Sequence, residues 1–177
     1  MHRRIIPSTL IMALLFTLGA CSSKKEEKKE VAGYTPNPKV IEFLRSGLEF
    51  KLGDSVAEIK QNLGPPSSEK VVRVQSKPGG AVEETHTLEY PGLSVEVDRL
   101  GENKPRDILM RLTLTDGKYK TRMSLTIGTS QSEVKRILGE PWGVENEAMV
   151  YEEDIGDVVF YLRDGVVRKI QWDWYPD

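Results

Sequence analysis

Few side chains in this chain have both the type and the spacing for chemistry. His86 is the one histidine beyond residue 20, and Glu83 and Glu84 precede it closely. A carboxylate–histidine metal site needs three or four converging ligands, and no second histidine or available thiol completes one here. Hydrolysis by a Ser-His-Asp arrangement would also have to use His86, yet no Gly-x-Ser-x-Gly elbow is present. Walker and dinucleotide glycine patterns are absent as well. Glu152-Glu153-Asp154 and Asp157 concentrate carboxylates, but not at the spacing of an EF-hand loop. The ordinary readings are an exposed histidine at a strand end and a solvated acidic turn. No catalytic residue, no metal and no cofactor is expected.

Cys21 is the only cysteine, so no intramolecular disulfide can form. Arg3 and Arg4 precede a mostly apolar stretch from Ile5 to Thr17, too short for an ordinary membrane span. Leu18-Gly19-Ala20-Cys21 then resembles the lipobox of bacterial lipoproteins. That resemblance implies removal of residues 1–20 and acylation of Cys21, which would hold the protein to a membrane by its lipid. Ser22 is not the aspartate that signals inner-membrane retention in enteric lipoproteins, so residence on the outer membrane, facing the periplasm, is expected. Beyond residue 20 the chain carries 23 basic and 27 acidic residues, a formal charge of about −4. So mild an acidity gives no footprint for nucleic acid.

These side chains must be positioned by elements whose pattern is duplicated. Phe50–Pro66 reads FKLGDSVAEIKQNLGPP and Leu125–Pro141 reads LTIGTSQSEVKRILGEP, with seven of seventeen positions identical. In each copy a serine, Ser55 or Ser130, stands three residues before a glutamate, Glu58 or Glu133, as in a capping box. Val56, Ile59 and Leu63 fall on one helical face, as do Val134, Ile137 and Leu138. Gly64 and Gly139 end the helices, and Pro66 and Pro141 prevent their resumption. Each copy thus predicts a leading strand, a tight glycine turn, a short helix and a hard stop.

Residues 21–37 read as an acylated tether, rich in mixed charge at Ser22–Glu30 and in proline further on. Val40, Ile41 and Leu44 predict an amphipathic helix over Pro38–Ser46, closed by Gly47. Strands are predicted at Glu69–Gln75, Thr85–Tyr90, Leu93–Asp98 and Ile108–Leu114, then at Ala148–Glu152, Asp157–Arg163 and Val166–Trp174. Ile108, Met110, Leu112 and Leu114 are expected on one buried face. Asp116-Gly117 and Asp164-Gly165 read as hairpin turns.

In the last strand Ile170, Trp172 and Trp174 share one face, and Val158, Phe160 and Leu162 of the preceding strand join them in a core beneath the two duplicated helices. Val159 and Tyr161 are then left on the face that meets water, near Tyr175. Trp142, directly after the second helix stop, either extends that surface or plugs the helix end. An apolar patch on an open sheet face suits a protein partner. Tyr161, Val159, Tyr175 and Trp142 are therefore the candidate partner-binding residues, with the loops near Gly80 and Asn103 as the competing location.

The double Gly, capped helix and Leu-Gly-x-Pro pattern resembles the repeat of the SmpA/OmlA (BamE) lipoproteins and of the BLIP β-lactamase inhibitors. The carrying residues are Gly53, Ile59, Leu63, Gly64 and Pro66, then Gly128, Val134, Leu138, Gly139 and Pro141. BLIP proteins are stapled by disulfides, which this chain cannot form. The resemblance implies an α+β fold of two tandem units, each a short helix packed on an antiparallel β-meander. The expected domains are a signal peptide at 1–20, the tether at 21–37, the first helix plus unit one at 38–120, and unit two at 121–177. It also implies a non-enzymatic module that binds another envelope protein as scaffold, assembly factor or inhibitor. Rival readings are a lipoprotein that binds lipid, peptidoglycan or a small ligand, and an envelope hydrolase that uses His86.

Overall fold

The computed structural model describes residues 35–75, 82–101 and 105–176. The expected lipobox with Cys21, most of the expected tether, and the segments around Gly79-Gly80 and Asn103 lie outside them. Every described residue belongs to one unit, Thr35–Asp177.

Alternation of apolar and polar residues builds most of this unit as strands. β1 (Ser68–Gln75), β2 (Val82–Tyr90), β3 (Leu93–Leu100) and β4 (Arg106–Leu114) form one antiparallel meander. β5 (Gly143–Glu145), β6 (Ala148–Glu153), β7 (Gly156–Arg163) and β8 (Val166–Trp174) form another. The expectation of two tandem helix-on-meander units is corrected here. β4 and β8 pair directly, Leu112 opposite Trp172 and Leu114 opposite Ile170, so one eight-stranded sheet runs β1-β2-β3-β4-β8-β7-β6-β5. The reason is physical: a meander ending in Leu112 and Leu114 has an apolar edge, and pairing it removes both the edge and its unsatisfied backbone groups. β5 is a further strand that the sequence pattern did not show.

Three short helices cover one face of the sheet: α1 (Pro38–Ser46), α2 (Val56–Leu63) and α3 (Gln131–Leu138). α2 and α3 start as their duplicated sequences predict. Ser55 Oγ accepts the Glu58 amide at 3.3 Å and Ser130 Oγ accepts that of Glu133 at 3.2 Å. Only Glu58 reaches back, to the amide of Asp54 at 2.9 Å, whereas Glu133 turns to Arg136. Gly64 and Gly139 end both helices at φ of 83° and 89°, a region that side chains with a Cβ avoid.

α1 ties the two meanders together. Phe43 is fully buried, 6.0 Å from the ring of Phe160 and 5.3 Å from that of Trp172. The tryptophans were expected beneath the duplicated helices; instead their indole nitrogens donate to the last carbonyls of α1. Trp172 Nε1 reaches Phe43 O at 3.4 Å and Trp174 Nε1 reaches Leu44 O at 3.1 Å. Helix ends leave such carbonyls without intrahelical partners, and the indoles satisfy them. At the other end Asn37 Oδ1 caps α1, while Asn37 Nδ2 donates to Leu138 O, closing α3, at 2.7 Å.

Three local expectations are also corrected. Asp116-Gly117 makes a turn but no hairpin; the chain passes through a 3₁₀ turn at Arg122–Ser124 instead. The leading segments of the two copies form no strands in the sheet. The residues just before them meet instead, Leu48 bridging Thr121, with Glu49 N donating to Lys120 O and Arg122 N to Gly47 O. In β4, Ile108 and Met110 do not continue the face of Leu112. The register shifts between Glu96 and Val97, which places Leu109 opposite Val97 and against the core. A bulge of one residue reverses the alternation, which a period-2 pattern cannot anticipate.

Candidate functional site

The sheet keeps Val159 and Tyr161 on one face of β7, ties Tyr175 to Asp157 of the same strand, and sets Trp142 apart, just before β5. On β7, Val159 lies between Val150 and Gln171, with only 8% of its surface exposed. The expectation that it meets water is therefore corrected: its own neighbours on the outer face cover it. Tyr161 is half-buried, and Lys169 from the paired strand lies over its ring with Nζ 3.4 Å from the centroid. That cation–π contact occupies one tyrosine face. Tyr175, just past β8, is exposed, and its hydroxyl donates to Asp157 Oδ2 at 2.6 Å. Burial raises the Tyr175 hydroxyl pKa, and the Asp157 contact raises it further, because an adjacent carboxylate disfavours a second anion.

Trp142 is the most exposed of the four, at 61%. Gly139 and Pro141 end α3 just before it, and its amide donates to Val150 O at 2.8 Å, which fixes its backbone to β6. Two residues on, Val144 of edge strand β5 is also exposed. Trp142 therefore faces outward at one end of the sheet and plugs no helix end.

The opposite end of the sheet carries a surface that the sequence pattern did not single out. β1 is an edge strand whose eight residues are all exposed, with Val71, Val72 and Val74 among them. The sequence predicts only a strand over Glu69–Gln75. Only the sheet order shows that nothing described pairs with its outer edge.

His86 is not the exposed strand-end residue expected. It is buried on β2, with Glu69 Oε1 at 3.2 Å from Nδ1 and Glu84 Oε2 at 3.2 Å from Nε2. Both nitrogens face carboxylates. Hydrogen bonds from Lys60 and then His86 lower the Glu69 carboxyl pKa, and those from Arg73 and then His86 lower that of Glu84. Among the described residues no group of three or more metal-ligating side chains converges. The acidic turn differs from expectation too: Glu153 is buried and its Oε1 accepts the Asn37 amide at 2.8 Å. Asp157 is partly buried; desolvation chiefly, and Asp173 beside it, raise its pKa, while the Tyr175 hydroxyl opposes the shift.

A cleft of about 570 Å³ opens beside the C-terminus of α1, with Phe50, Leu109 and Trp174 on its walls and Arg45 and Arg122 among its polar groups. It is open on one side rather than an enclosed apolar chamber.

No protein-family model matches the chain, no curated protein matches it, and no solved structure matches it. The likeness to the SmpA/OmlA and BLIP repeats rests on the ten residues Gly53, Ile59, Leu63, Gly64, Pro66, Gly128, Val134, Leu138, Gly139 and Pro141.

Proposed function

We propose that this protein is a lipid-anchored, non-enzymatic protein of the bacterial envelope that binds another envelope protein. The anchoring half of the reading rests on Leu18-Gly19-Ala20-Cys21 and the charged, proline-containing tether behind it. The binding half is carried by one observation: Trp142, 61% exposed and held by its backbone to β6, stands beside exposed Val144 at a sheet edge. Tryptophan concentrates binding energy because it buries a large area at little conformational cost. A fixed backbone beneath it reduces the ordering cost further.

Crosslinking and capture from envelope membranes tests this, comparing the wild-type chain with Trp142→Ala and Tyr161→Ala, each checked for its fold by circular dichroism. Loss of a specific partner with Trp142→Ala is the expected result. Loss with Tyr161→Ala alone would move the contact to the outer sheet face. Cys21→Ala is expected to abolish incorporation of labelled palmitate.

A second reading, a lipoprotein for a small ligand, has the cleft beside α1 in its favour, since about 570 Å³ lies within the range of ligand pockets. A lipid or glycan that co-purifies, with no protein captured, would support it.

A further inference from the structure

An edge strand with free backbone groups on a flat apolar surface invites another strand, and proteins usually blunt such edges by shortness, proline or charge. The two edges of this sheet differ in that respect. β5 has three residues, whereas β1 has eight and no proline, and its charges, Glu69, Lys70 and Arg73, are interleaved with exposed Val71, Val72 and Val74.

The charges of β1 select its occupant. A second copy can add to this edge only antiparallel, about a two-fold axis perpendicular to the sheet, so that each face continues into the same face of its mate. Residues on one face then meet residues of the same parity, and the axis lies midway between one residue and its own mate. An axis at Lys70 or Arg73 sets like charges directly opposite each other, which is unfavourable. An axis at Val72 sets Val71 opposite Arg73 and Glu69 opposite Gln75. At Val71 no like charges meet, and the one pair of charged residues set opposite each other is of opposite sign. Val71 meets Val71, Lys70 lies beside Val72, and Glu69 faces Arg73 twice over.

The side chains are free to make those pairs. Arg73 lies on the helix-covered face and engages Glu84 Oε1 through Nε at 2.7 Å, and its side chain is 71% exposed. Its two terminal nitrogens remain open to a second carboxylate. Glu69 lies on the same face, in contact with Lys60 and His86, and keeps 30% of its side-chain surface exposed. A guanidinium from a mate would join that network rather than break it.

We propose that β1 is a self-association site, at which two copies of the chain pair antiparallel about Val71 to make one continuous sheet. This site lies at the opposite end of the sheet from Trp142 and is independent of the binding assigned there.

Cysteine crosslinking of the full chain in envelope membranes tests the proposal, because Cys21 is the only native cysteine. Across the axis, opposed Cα atoms sit about 4.5–5.5 Å apart, within the reach of a disulfide. Val71→Cys is therefore expected to give a disulfide-linked homodimer on mild oxidation. Lys70→Cys and Val72→Cys, whose mates lie diagonally, are expected to link several-fold less. Adding Arg73→Glu to Val71→Cys should lower the dimer yield several-fold, with the fold unchanged by circular dichroism. No dimer with any of the three cysteines, strongest linkage at Val72→Cys, or linkage of Val71→Cys to a different protein would each overturn the proposal.

Discussion

Asp107 joins three parts of the molecule through one carboxylate. Oδ1 accepts Arg99 Nε at 2.7 Å, and Oδ2 accepts Arg99 Nη2 and the Val56 amide, each at 2.9 Å. Val56 opens α2, so a β4 side chain satisfies one of the amides that a helix start leaves free. The Arg99 hydrogen bonds lower the Asp107 pKa most; burial opposes them, and the Val56 amide adds to the lowering. A carboxyl depressed in the folded state stabilises the fold above its unfolded pKa, and that contribution is lost as pH falls through the depressed value. Asp107→Asn is accordingly expected to cost about 1–2 kcal/mol at neutral pH, a charged hydrogen bond discounted for the solvent at Arg99. Urea denaturation across pH should show the difference from wild type closing in acid. No local sequence signal marks Asp107 as a cap, because it lies 51 residues from the amide it serves. His86 repeats the lesson. It stood out as the lone histidine, but of its two carboxylate partners Glu69 is 17 residues away.

At the scale of elements, helices were legible where their signals are local. Ser-x-x-Glu starts and glycine stops are short-range chemistry, and α2 and α3 begin and end as those residues dictate. α1 was legible in extent but not in importance, since the pattern picked out Val40, Ile41 and Leu44 and passed over Phe43. Its ring fills the space between Phe160 and Trp172, two side chains from the far end of the chain. Phe43→Ala would leave a cavity under a helix fixed at both ends, where little collapse is possible. The expected loss is about 3–5 kcal/mol, measured as a shift of the urea midpoint at unchanged slope. Strands were legible by alternation, but the bulge in β4 was not. Register depends on the partner strand, and β4 bulges where Leu109 comes opposite Val97.

For the whole molecule, one continuous sheet predicts one cooperative transition. The two halves should not stand alone even though their helices are duplicated. Residues 35–120 by themselves would expose the β4 edge at Leu112 and Leu114 and remove Phe160 and Trp172 from Phe43. That fragment is expected to lack a cooperative thermal transition by circular dichroism, while the full chain shows one. Independent cooperative folding of the fragment would mean that pairing between β4 and β8 contributes little.

Features that depend on neighbours along the chain were legible from the residues alone. These are the helix starts at Ser55 and Ser130, the stops at Gly64 and Gly139, the alternating strands and the Asp164-Gly165 hairpin between β7 and β8. What those elements do together was settled in three dimensions: that β4 pairs with β8, that the tryptophans cap α1, that Val159 is covered, and that β1 stands at the end of the strand order among the described residues. Backbone pairing and burial are settled between segments far apart in the chain, by whichever contacts remove the most apolar surface and leave the fewest polar groups unpaired, and no local pattern encodes that comparison.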